Sequence, residues 1–445
     1  EIYSSGFYVD PFFVLFSVIL LIMEFSVMHL YKPHFCFFLY LPHQNIYRIL
    51  MTMKLIPVWG TLLSMFLLLA CSSHPIERNI WLERAEKTFT SLYTNYAIDT
   101  TCLLHENYPS DTYYSIPSLA SGSQRGFNQY AYLWPYSGVF SAGVALLEAT
   151  GDKIYKELLE NSILPGLEAY YDRKREPHAY SSYISTAPVS DRFYDDNLWL
   201  GIDFIDLYRL TCEQQYLEKA KAIWRFVKSG TDDKLGGGIY WCEQRKDTKN
   251  TCSNAPAAVL ALKIYQETHE SIYLKEAERQ YEWTKEKLQD TTDYLYFDHI
   301  ELDGKIGKAK FAYNSGQMMQ AAALLFELTG DSAYLTDARN IAKEAYCYFF
   351  NYVTTPDESS VKLIRKGDIW FTAIMLRGYI ELYKQDKNKT YLDTFKKSLD
   401  CAWKYAREEN GLFNVDFSGK EKENRKWLLT QAAIVEMYAR LAAIK

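Results

Sequence analysis

The chain has 445 residues, a formal net charge of −6, an isoelectric point near 5.9 and a high aromatic content of 16%. Hydrophobic residues at 48% and charged residues at 23% are typical of a globular protein and exclude a disordered or collagen-like chain. The mild acidity and the lack of a basic run argue against nucleic acid as a partner. Length alone suggests about three domains, although one large enzyme fold fits equally well.

The first 71 residues differ from the rest of the chain. Residues 12–23 are nearly all apolar and on length alone are a candidate membrane span, although Glu24 interrupts the run. Residues 53–71 begin with Met-Lys, continue as an apolar run and end in Leu-Leu-Ala-Cys, the pattern of a secretory signal peptide. The last four residues resemble the lipobox of bacterial lipoproteins. We therefore expect Cys71 to be lipidated.

This signal peptide has consequences for the organisation and location of the protein. We expect residues 1–52 to be translated upstream sequence that is absent from the native protein, because a signal peptide does not normally follow so long a segment. Residues 72–79 would then be a short linker. A lipid on Cys71 would hold the protein at the cell envelope, as a periplasmic or outer-membrane lipoprotein that contacts the membrane only through its anchor.

The cysteine and histidine patterns do not indicate a metal site. The six cysteines after residue 71 have no C-x-x-C spacing, and the histidines of this region have no metal-binding spacing. Cys242 and Cys252 flank one loop, and either a disulfide or two unpaired thiols fits the sequence. Neither a P-loop nor a G-x-S-x-G motif is present. We expect no cofactor.

An internal repeat organises residues 80–445. Five segments share an apolar helix end, a short polar turn and a tyrosine that opens a second helix. The tyrosines lie 61, 57, 61 and 57 residues apart, at Tyr155, Tyr216, Tyr273, Tyr334 and Tyr391. The two chain ends, at 80–96 and 427–443, supply the helices of a sixth unit.

The two helices of each unit have different hydrophobic patterns. The helix after each tyrosine is amphipathic, whereas the helix before it is apolar nearly all round, as at residues 257–262. A helix that is apolar on every side must be surrounded by protein. Six such hairpins predict an all-α fold, an (α/α)6 toroid that forms a single catalytic domain over residues 80–445. The complementary chain ends favour a closed ring over an open solenoid.

In such a toroid the N-terminal ends of the inner helices share one face. Counting back 21 and 20 residues from each repeat tyrosine gives the pairs Trp134-Pro135, Asp195-Asp196, Cys252-Ser253, Tyr313-Asn314 and Trp370-Phe371. Residues 236–241, Gly-Gly-Gly-Ile-Tyr-Trp, bring two more aromatic rings to this face. Aromatic faces stack on sugar rings and small polar side chains bind sugar hydroxyls, so the face predicts a binding site for a glycan chain.

The pair Asp195-Asp196 is the sharpest chemical signal, and it has two interpretations. Asp commonly caps a helix N-terminus. Alternatively, two neighbouring carboxylates do not both ionise easily, so one becomes a general acid beside a carboxylate nucleophile or base, as glycoside hydrolysis requires. Because the pair is unique among the repeat-equivalent positions, we interpret it as catalytic. Asp191 and Asp298 lie in connecting segments, where contact with substrate is one alternative and an ordinary surface carboxylate is the one that we expect.

These motifs together resemble glycoside hydrolase family 76, the endo-α-1,6-mannanases. The resemblance rests on residues 194–199, 236–241, 249–254, 313–317 and 366–371. It implies that Asp195 is the nucleophile and Asp196 the general acid/base of a retaining enzyme that cleaves α-1,6-mannan or mannooligosaccharides. It further implies sugar subsites formed by Tyr240, Trp241, Asn254, Tyr313 and Asn314. We expect substrate contacts also from Trp134, Tyr136, Tyr194, Asn197, Asn250 and Phe371.

Two other functions remain open on the sequence alone. One is another carbohydrate enzyme with the same fold, such as an unsaturated-uronyl hydrolase or a sugar epimerase. An epimerase would need catalytic histidines, and none lies on the deduced inner helices. The other is a non-catalytic lipoprotein that binds mannan or another glycan through the aromatic face.

Overall fold

The computed structural model describes residues 79–110 and 129–444. The predictions for residues 1–52, for the signal peptide at 53–71 with its Cys71, and for nearly all of the linker therefore lie outside the described residues. Within the part of the chain that is described, no helix is both long enough and apolar enough to cross a membrane.

Helices dominate the described residues. In chain order they are α1 (Ile80–Tyr96), α2 (Leu133–Thr150), α3 (Lys153–Leu158), α4 (Leu164–Glu168), α5 (Tyr194–Thr211), α6 (Gln214–Ser229), α7 (Thr251–Thr268), α8 (Ser271–Leu288), α9 (Ala312–Thr329), α10 (Ser332–Tyr348), α11 (Ile369–Asp386), α12 (Thr390–Cys401) and α13 (Leu428–Ala443). The strands are β1 (Asn107–Tyr108), β2 (Tyr171–Asp172), β3 (Ala179–Tyr180), β4 (Thr248–Asn250), β5 (Phe297–Glu301), β6 (Ile306–Lys310), β7 (Phe350–Thr354), β8 (Ser360–Ile364) and β9 (Lys426–Trp427).

The helices form two concentric layers. The inner helices are α2, α5, α7, α9, α11 and α13, and each packs against the next around the ring. Helix α13 packs against α2, which closes the ring, and the first outer helix α1 packs against α13. The two ends of the domain therefore form the sixth hairpin, and the predicted (α/α)6 toroid is confirmed.

The burial of each layer follows from its hydrophobic pattern. Every residue of α7 from Thr251 to Ile264 is buried, because an inner helix is surrounded by its two neighbours and its outer partner. Helix α6 instead buries one stripe, which includes Ile223, Trp224 and Val227, and leaves its other side to solvent. The predicted division between apolar inner and amphipathic outer helices is confirmed.

The connections between helices are short at one end of the toroid and long at the other. Each inner helix from α2 to α11 ends at a left-handed residue that starts the turn into the outer layer, as at Gly151 and Gly330 with φ of 63° and 74°. Long segments with short strands lead back to the next inner helix. One of these segments pairs β5 with β4 and places His299 opposite Asn250. The long segments therefore surround the N-terminal ends of the inner helices.

Helices α9 and α11 approach each other closely at Gly316 and Gly378. A Cβ atom on Gly378 would lie 2.3 Å from the carbonyl oxygen of Gly316, well inside van der Waals contact. We expect Gly378→Ala to lower the free energy of unfolding by about 1–3 kcal/mol, because the two backbones would have to separate. Urea unfolding measures this loss. Gly367→Ala is the control, since its Cβ would meet no atom closer than 4.0 Å; equal effects of both substitutions would contradict the interpretation.

Candidate active site

A cleft of about 390 Å³ opens at the N-terminal ends of the inner helices. Helices α2, α5, α7, α9 and α11 each contribute lining side chains from their first turns, and the long connecting segments supply the walls. Nine of the nineteen lining residues are aromatic: Tyr132, Trp134, Phe193, Trp199, Trp241, Phe311, Tyr313, Trp370 and Phe371. The repeat therefore concentrates aromatic rings at one mouth of the toroid.

The rings pack on one another and form a rigid surface. Tyr313 stacks on Phe371 with ring centroids 4.1 Å apart, and Trp134 lies nearly parallel to Phe371 at 6.1 Å. Trp199 meets Trp370 edge to face at 5.1 Å. Because each ring is held by its neighbours, the surface presents fixed aromatic faces of the kind on which sugar rings stack.

Asp195 and Asp196 lie in the first turn of α5 and line the cleft. The helix N-cap is Phe193, whose side chain makes no capping hydrogen bond, so neither Asp195 nor Asp196 occupies the N-cap position. The positive end of the helix dipole lies beside both carboxyl groups and favours a negative charge there.

The two carboxyl groups have different hydrogen-bond partners. Asp195 accepts the indole N–H of Trp241 on Oδ2 and the backbone N–H of Asp196 on Oδ1, both at 3.0 Å. The thiol of Cys252, in the first turn of α7, also lies beside Asp195 and lowers the pKa of that carboxyl group. No donor from the described residues reaches the Asp196 carboxyl group.

This difference separates the acidities of the two groups. Burial in the cleft raises the pKa of Asp195 to about 6, with Cys252 and the hydrogen bonds from Trp241 and the backbone opposing the rise. Burial, and then the adjacent charge of Asp195, raise the pKa of Asp196 well above its usual value. Both side chains are partly accessible through the cleft mouth, yet the surrounding protein displaces most of their water. The pair therefore loses its first proton from Asp195 and keeps the second on Asp196.

Asp298 also lines the cleft, at a position where the surface carboxylate was the expected alternative and substrate contact the other. Its Oδ2 lies 2.8 Å from Nδ1 of His299. Burial raises the pKa of Asp298. The expectation for Asp298 was wrong because the pairing of β5 with β4, which turns this segment inward, leaves no periodic signal in the sequence.

The predicted substrate-binding residues fall into two groups. Five of them line the cleft together with the Asp pair: Trp134, Trp241, Asn250, Tyr313 and Phe371. The other six are buried behind the cleft wall: Tyr136, Tyr194, Asn197, Tyr240, Asn254 and Asn314. Among this second group, Tyr136 donates its hydroxyl to the carbonyl of Cys102, and Tyr194 stacks on Phe226.

The buried amides of Asn197 and Asn254 have the same structural function on successive inner helices. Asn197 accepts the N–H of Tyr180 at 2.8 Å and donates to the carbonyl of the same residue at 2.9 Å. Asn254 binds Ile239 in the same way, at 2.7 and 3.0 Å. The structure thus gives both amides a role in fixing the loops around the cleft instead of the sugar contact expected from the sequence.

The cysteines near the cleft do not form a disulfide. Cys242 and Cys252 are both buried free thiols, so of the two alternatives the structure has the unpaired one. Among the described residues, no group of three histidine, cysteine or acidic side chains is arranged to hold a metal ion.

An aromatic cleft with a carboxylate pair, at one mouth of an (α/α)6 toroid, defines the chain as a carbohydrate-active protein. More particularly, the chain belongs to glycosyl hydrolase family 76, which it matches over residues 100–444. The family predicted from the sequence motifs is thereby confirmed, and with it the class of glycoside hydrolases.

Several proteins of known structure are similar to this chain. A family 76 mannosidase of Bacteroides thetaiotaomicron is 33% identical, with a TM-score of 0.74; the match covers 82% of this chain and 98% of the other. An α-1,6-mannanase of a Salegentibacter species is 26% identical, with a TM-score of 0.65, and 82% of this chain and 100% of the other are covered. That structure is of an inactive variant in which two consecutive aspartates are asparagines, in complex with α-1,6-mannotriose.

The curated relatives match a smaller part of the chain. A mannan endo-1,6-α-mannosidase of Saccharomyces cerevisiae is 26% identical over 251 residues, which are 52% of this chain and 52% of the relative. The chain spans between a third and about half the length of the curated relatives it matches.

Proposed function

We propose that the protein is a retaining endo-α-1,6-mannanase. The observation that carries the proposal is the Asp pair in the aromatic cleft, in which Asp195 accepts hydrogen bonds from Trp241 and from the backbone of Asp196, whereas the Asp196 carboxyl group accepts none from the described residues. Retaining glycoside hydrolysis requires an ionised carboxylate as the nucleophile and a neighbouring carboxylic acid that keeps its proton. The mannanase and mannosidase names of the relatives support an α-1,6-linked mannose chain as substrate.

In the first step the ionised Asp195 attacks the anomeric carbon of the mannosyl residue in the cleft. The bond from this carbon to the O6 oxygen of the departing sugar breaks, and Asp196 transfers its proton to that oxygen. The result is a β-mannosyl ester on Asp195 and an ionised Asp196. Hydrogen bonds to Asp195 orient the attacking carboxylate before the sugar arrives.

In the second step Asp196 acts as the base. It takes a proton from a water molecule, whose oxygen attacks the anomeric carbon from the α face while the ester bond to Asp195 breaks. The product is released as the α-anomer, Asp195 is again ionised and Asp196 again carries a proton. Two inversions at one carbon give net retention.

Incubation with unbranched α-1,6-mannan tests the proposal directly. We expect a series of oligosaccharides of different lengths at early times, and proton NMR to show the α-anomer as the first product. Mannose as the sole early product would contradict endo action, and a first-formed β-anomer would contradict retention. Mannooligosaccharide binding without any product over a long incubation would instead select the non-catalytic glycan-binding function.

The different acidities of the two aspartates predict a bell-shaped pH profile. As the pH rises through about 6, Asp195 ionises and kcat/KM is expected to increase; it falls again at higher pH as Asp196 loses its proton. Initial rates on α-1,6-mannooligosaccharides between pH 4 and pH 9 give both limbs. A rate that is already maximal at pH 4 would contradict the protonation order assigned to the pair.

We further propose that the mature protein is a bacterial lipoprotein of the cell envelope, anchored through Cys71. The pattern of residues 53–71 supports this proposal. Expression of the full chain in a bacterial host with a clickable fatty acid should label the protein, and Cys71→Ser should abolish the labelling. A labelled Cys71→Ser variant would place the lipid elsewhere.

A further inference from the structure

Lys249 is a buried lysine next to the cleft. It lies in β4, immediately before the cleft residue Asn250, and its side chain is fully buried. Its ammonium group donates to Oδ1 of Asp232 at 2.7 Å and to the carbonyl oxygens of Lys234 and Gly237 at 2.8 and 2.5 Å. An ammonium group has three donors, so these acceptors leave no proton free for a substrate.

All three acceptors belong to one short loop that has little rigidity of its own. The three glycines of the loop, residues 236–238, have positive φ angles of 77°, 126° and 81°. Glycine gains no conformational preference from a side chain, so the shape of the loop depends on the groups that bind it. The ammonium of Lys249 also lies 4.8 Å from the ring centroid of Tyr240, whose hydroxyl donates to Oδ2 of Asp232.

The loop leads directly to the indole that contacts the catalytic pair. Trp241 follows Tyr240, and its indole N–H donates to Oδ2 of Asp195 at 3.0 Å. The backbone of Trp241 is tied to the start of α5, where Tyr194 donates to its carbonyl at 3.0 Å, and to β4, where it donates to Thr248 at 3.3 Å. A continuous path of contacts therefore runs from Lys249 through the loop to Asp195.

We propose that Lys249 is a positioning residue that holds the glycine loop, and through it the indole N–H of Trp241, against the Asp195 carboxylate. The inference rests on the proposed function, in which Asp195 must be ionised to act as the nucleophile. A hydrogen bond to the ionised carboxylate favours its charge, and the bond depends on the placement of the indole. When the loop is no longer held, Asp195 ionises at a higher pH.

The test is a double-mutant cycle with Lys249→Met and Trp241→Phe, read out as the acid limb of kcat/KM. Each substitution alone should move this limb to higher pH by about 1–2 pH units, the effect of one hydrogen bond to a charged group. In the Trp241→Phe background, Lys249→Met should move it no further. Additive shifts, or no shift from Lys249→Met, would overturn the proposal.

Lys263→Met is the matched control, since Lys263 is also a buried lysine and its ammonium lies 2.6 Å from Oδ1 of Asp206 at the opposite end of the toroid. This variant should lose thermal stability without moving the acid limb. An equal movement of the limb in Lys263→Met would show that Lys249 acts only through general stability, against the proposal.

A second readout does not depend on mannanase activity. In protein labelled with ¹⁵N at the tryptophan indoles, Trp241→Phe identifies the Trp241 signal, whose pH dependence reports the ionisation of Asp195. Lys249→Met should move the midpoint of this titration upward in the same way as the kinetic limb. A titrating signal in a protein that releases no sugar would refute the proposed function while leaving the role of Lys249 intact; an unchanged midpoint in Lys249→Met would refute the inference itself.

Discussion

Replacing Asp195 with alanine is expected to lower kcat/KM on α-1,6-mannan by about 10⁴-fold or more, because the first step then lacks its nucleophile. Replacing Asp196 with alanine is expected to cost about 10²–10⁴-fold, the usual contribution of a general acid/base. The second loss should be smaller on an aryl α-mannoside, whose leaving group needs little protonation. Initial rates on both substrates measure these differences.

Sodium azide distinguishes the two roles by the stereochemistry of its product. In Asp195→Ala, azide occupies the place of the missing carboxylate and attacks the substrate directly, so the product is β-mannosyl azide. In Asp196→Ala, azide attacks the mannosyl ester of Asp195 from the other face, so the product is α-mannosyl azide. The reverse pairing of variant and product would show that the assigned roles are exchanged.

Asp191→Asn is the control for these substitutions. Asp191 precedes the pair by four residues, pairs with Arg245 at 3.7 Å and does not line the cleft. Its substitution should leave kcat/KM within about twofold of the wild type, as surface changes away from a site usually do. A large loss in Asp191→Asn would indicate that any change in this loop disturbs activity, and the losses at the pair would then not identify catalysis.

Arg377→Met is expected to lower the free energy of unfolding by about 3–5 kcal/mol at neutral pH, because it removes the cation between the buried carboxylates of Asp203 and Glu436 and leaves Arg440 as the remaining partner of Glu436. Arg377 lies on α11, where its Nε donates to Oε1 of Glu436 at 2.6 Å and its Nη1 lies 3.1 Å from Oδ1 of Asp203. Ser141 of α2 also donates to Asp203. The network therefore joins four inner helices, α2, α5, α11 and α13, across the centre of the ring.

The destabilisation should depend on pH in a defined direction. In the wild type, burial raises the pKa of Asp203 to about 6, whereas Arg377 and then Arg440 hold the pKa of Glu436 below its usual value. Without Arg377, the pKa of Asp203, which burial already raises, would rise further, whereas Arg440 would still contact Glu436 at 2.6 Å. A buried acid whose folded pKa is raised has little effect on the free energy of unfolding while it is protonated at low pH. It lowers that free energy as the pH rises through its folded pKa. The stability difference from wild type should therefore be larger at pH 8 than at pH 5.

Urea unfolding at both pH values checks this prediction, with Arg339→Met as the control. Arg339 is about half exposed and pairs with Asp386 at 3.5 Å, so its substitution should change stability by no more than about 1 kcal/mol at either pH. A loss in Arg377→Met that is as small as the control, or that is equal at pH 5 and pH 8, would show that the network does not carry buried charge.

The loop-binding role of Asn197 and Asn254 could not be predicted from the sequence. Their position in the repeat correctly places them near the mouth of the toroid. Whether an amide there faces a sugar or a loop depends on which backbone comes within 3 Å of it, and the loops that reach Asn197 and Asn254 come from 15–17 residues away. Loops of irregular length carry no periodic signal, so the outcome was visible only in the folded structure.

The sequence by itself determined the ring, its aromatic mouth and the presence of an Asp pair there. Helix periodicity and repeat spacing are local properties, and they suffice because each hairpin needs only its neighbours to bury its inner helix. Only the tertiary structure decided the protonation order of the pair. That order depends on Trp241, 46 residues from Asp195, and on Cys252 from the next inner helix. The pKa of a carboxyl group depends on the hydrogen-bond donors around it and on its burial, and both are present only once the chain has folded.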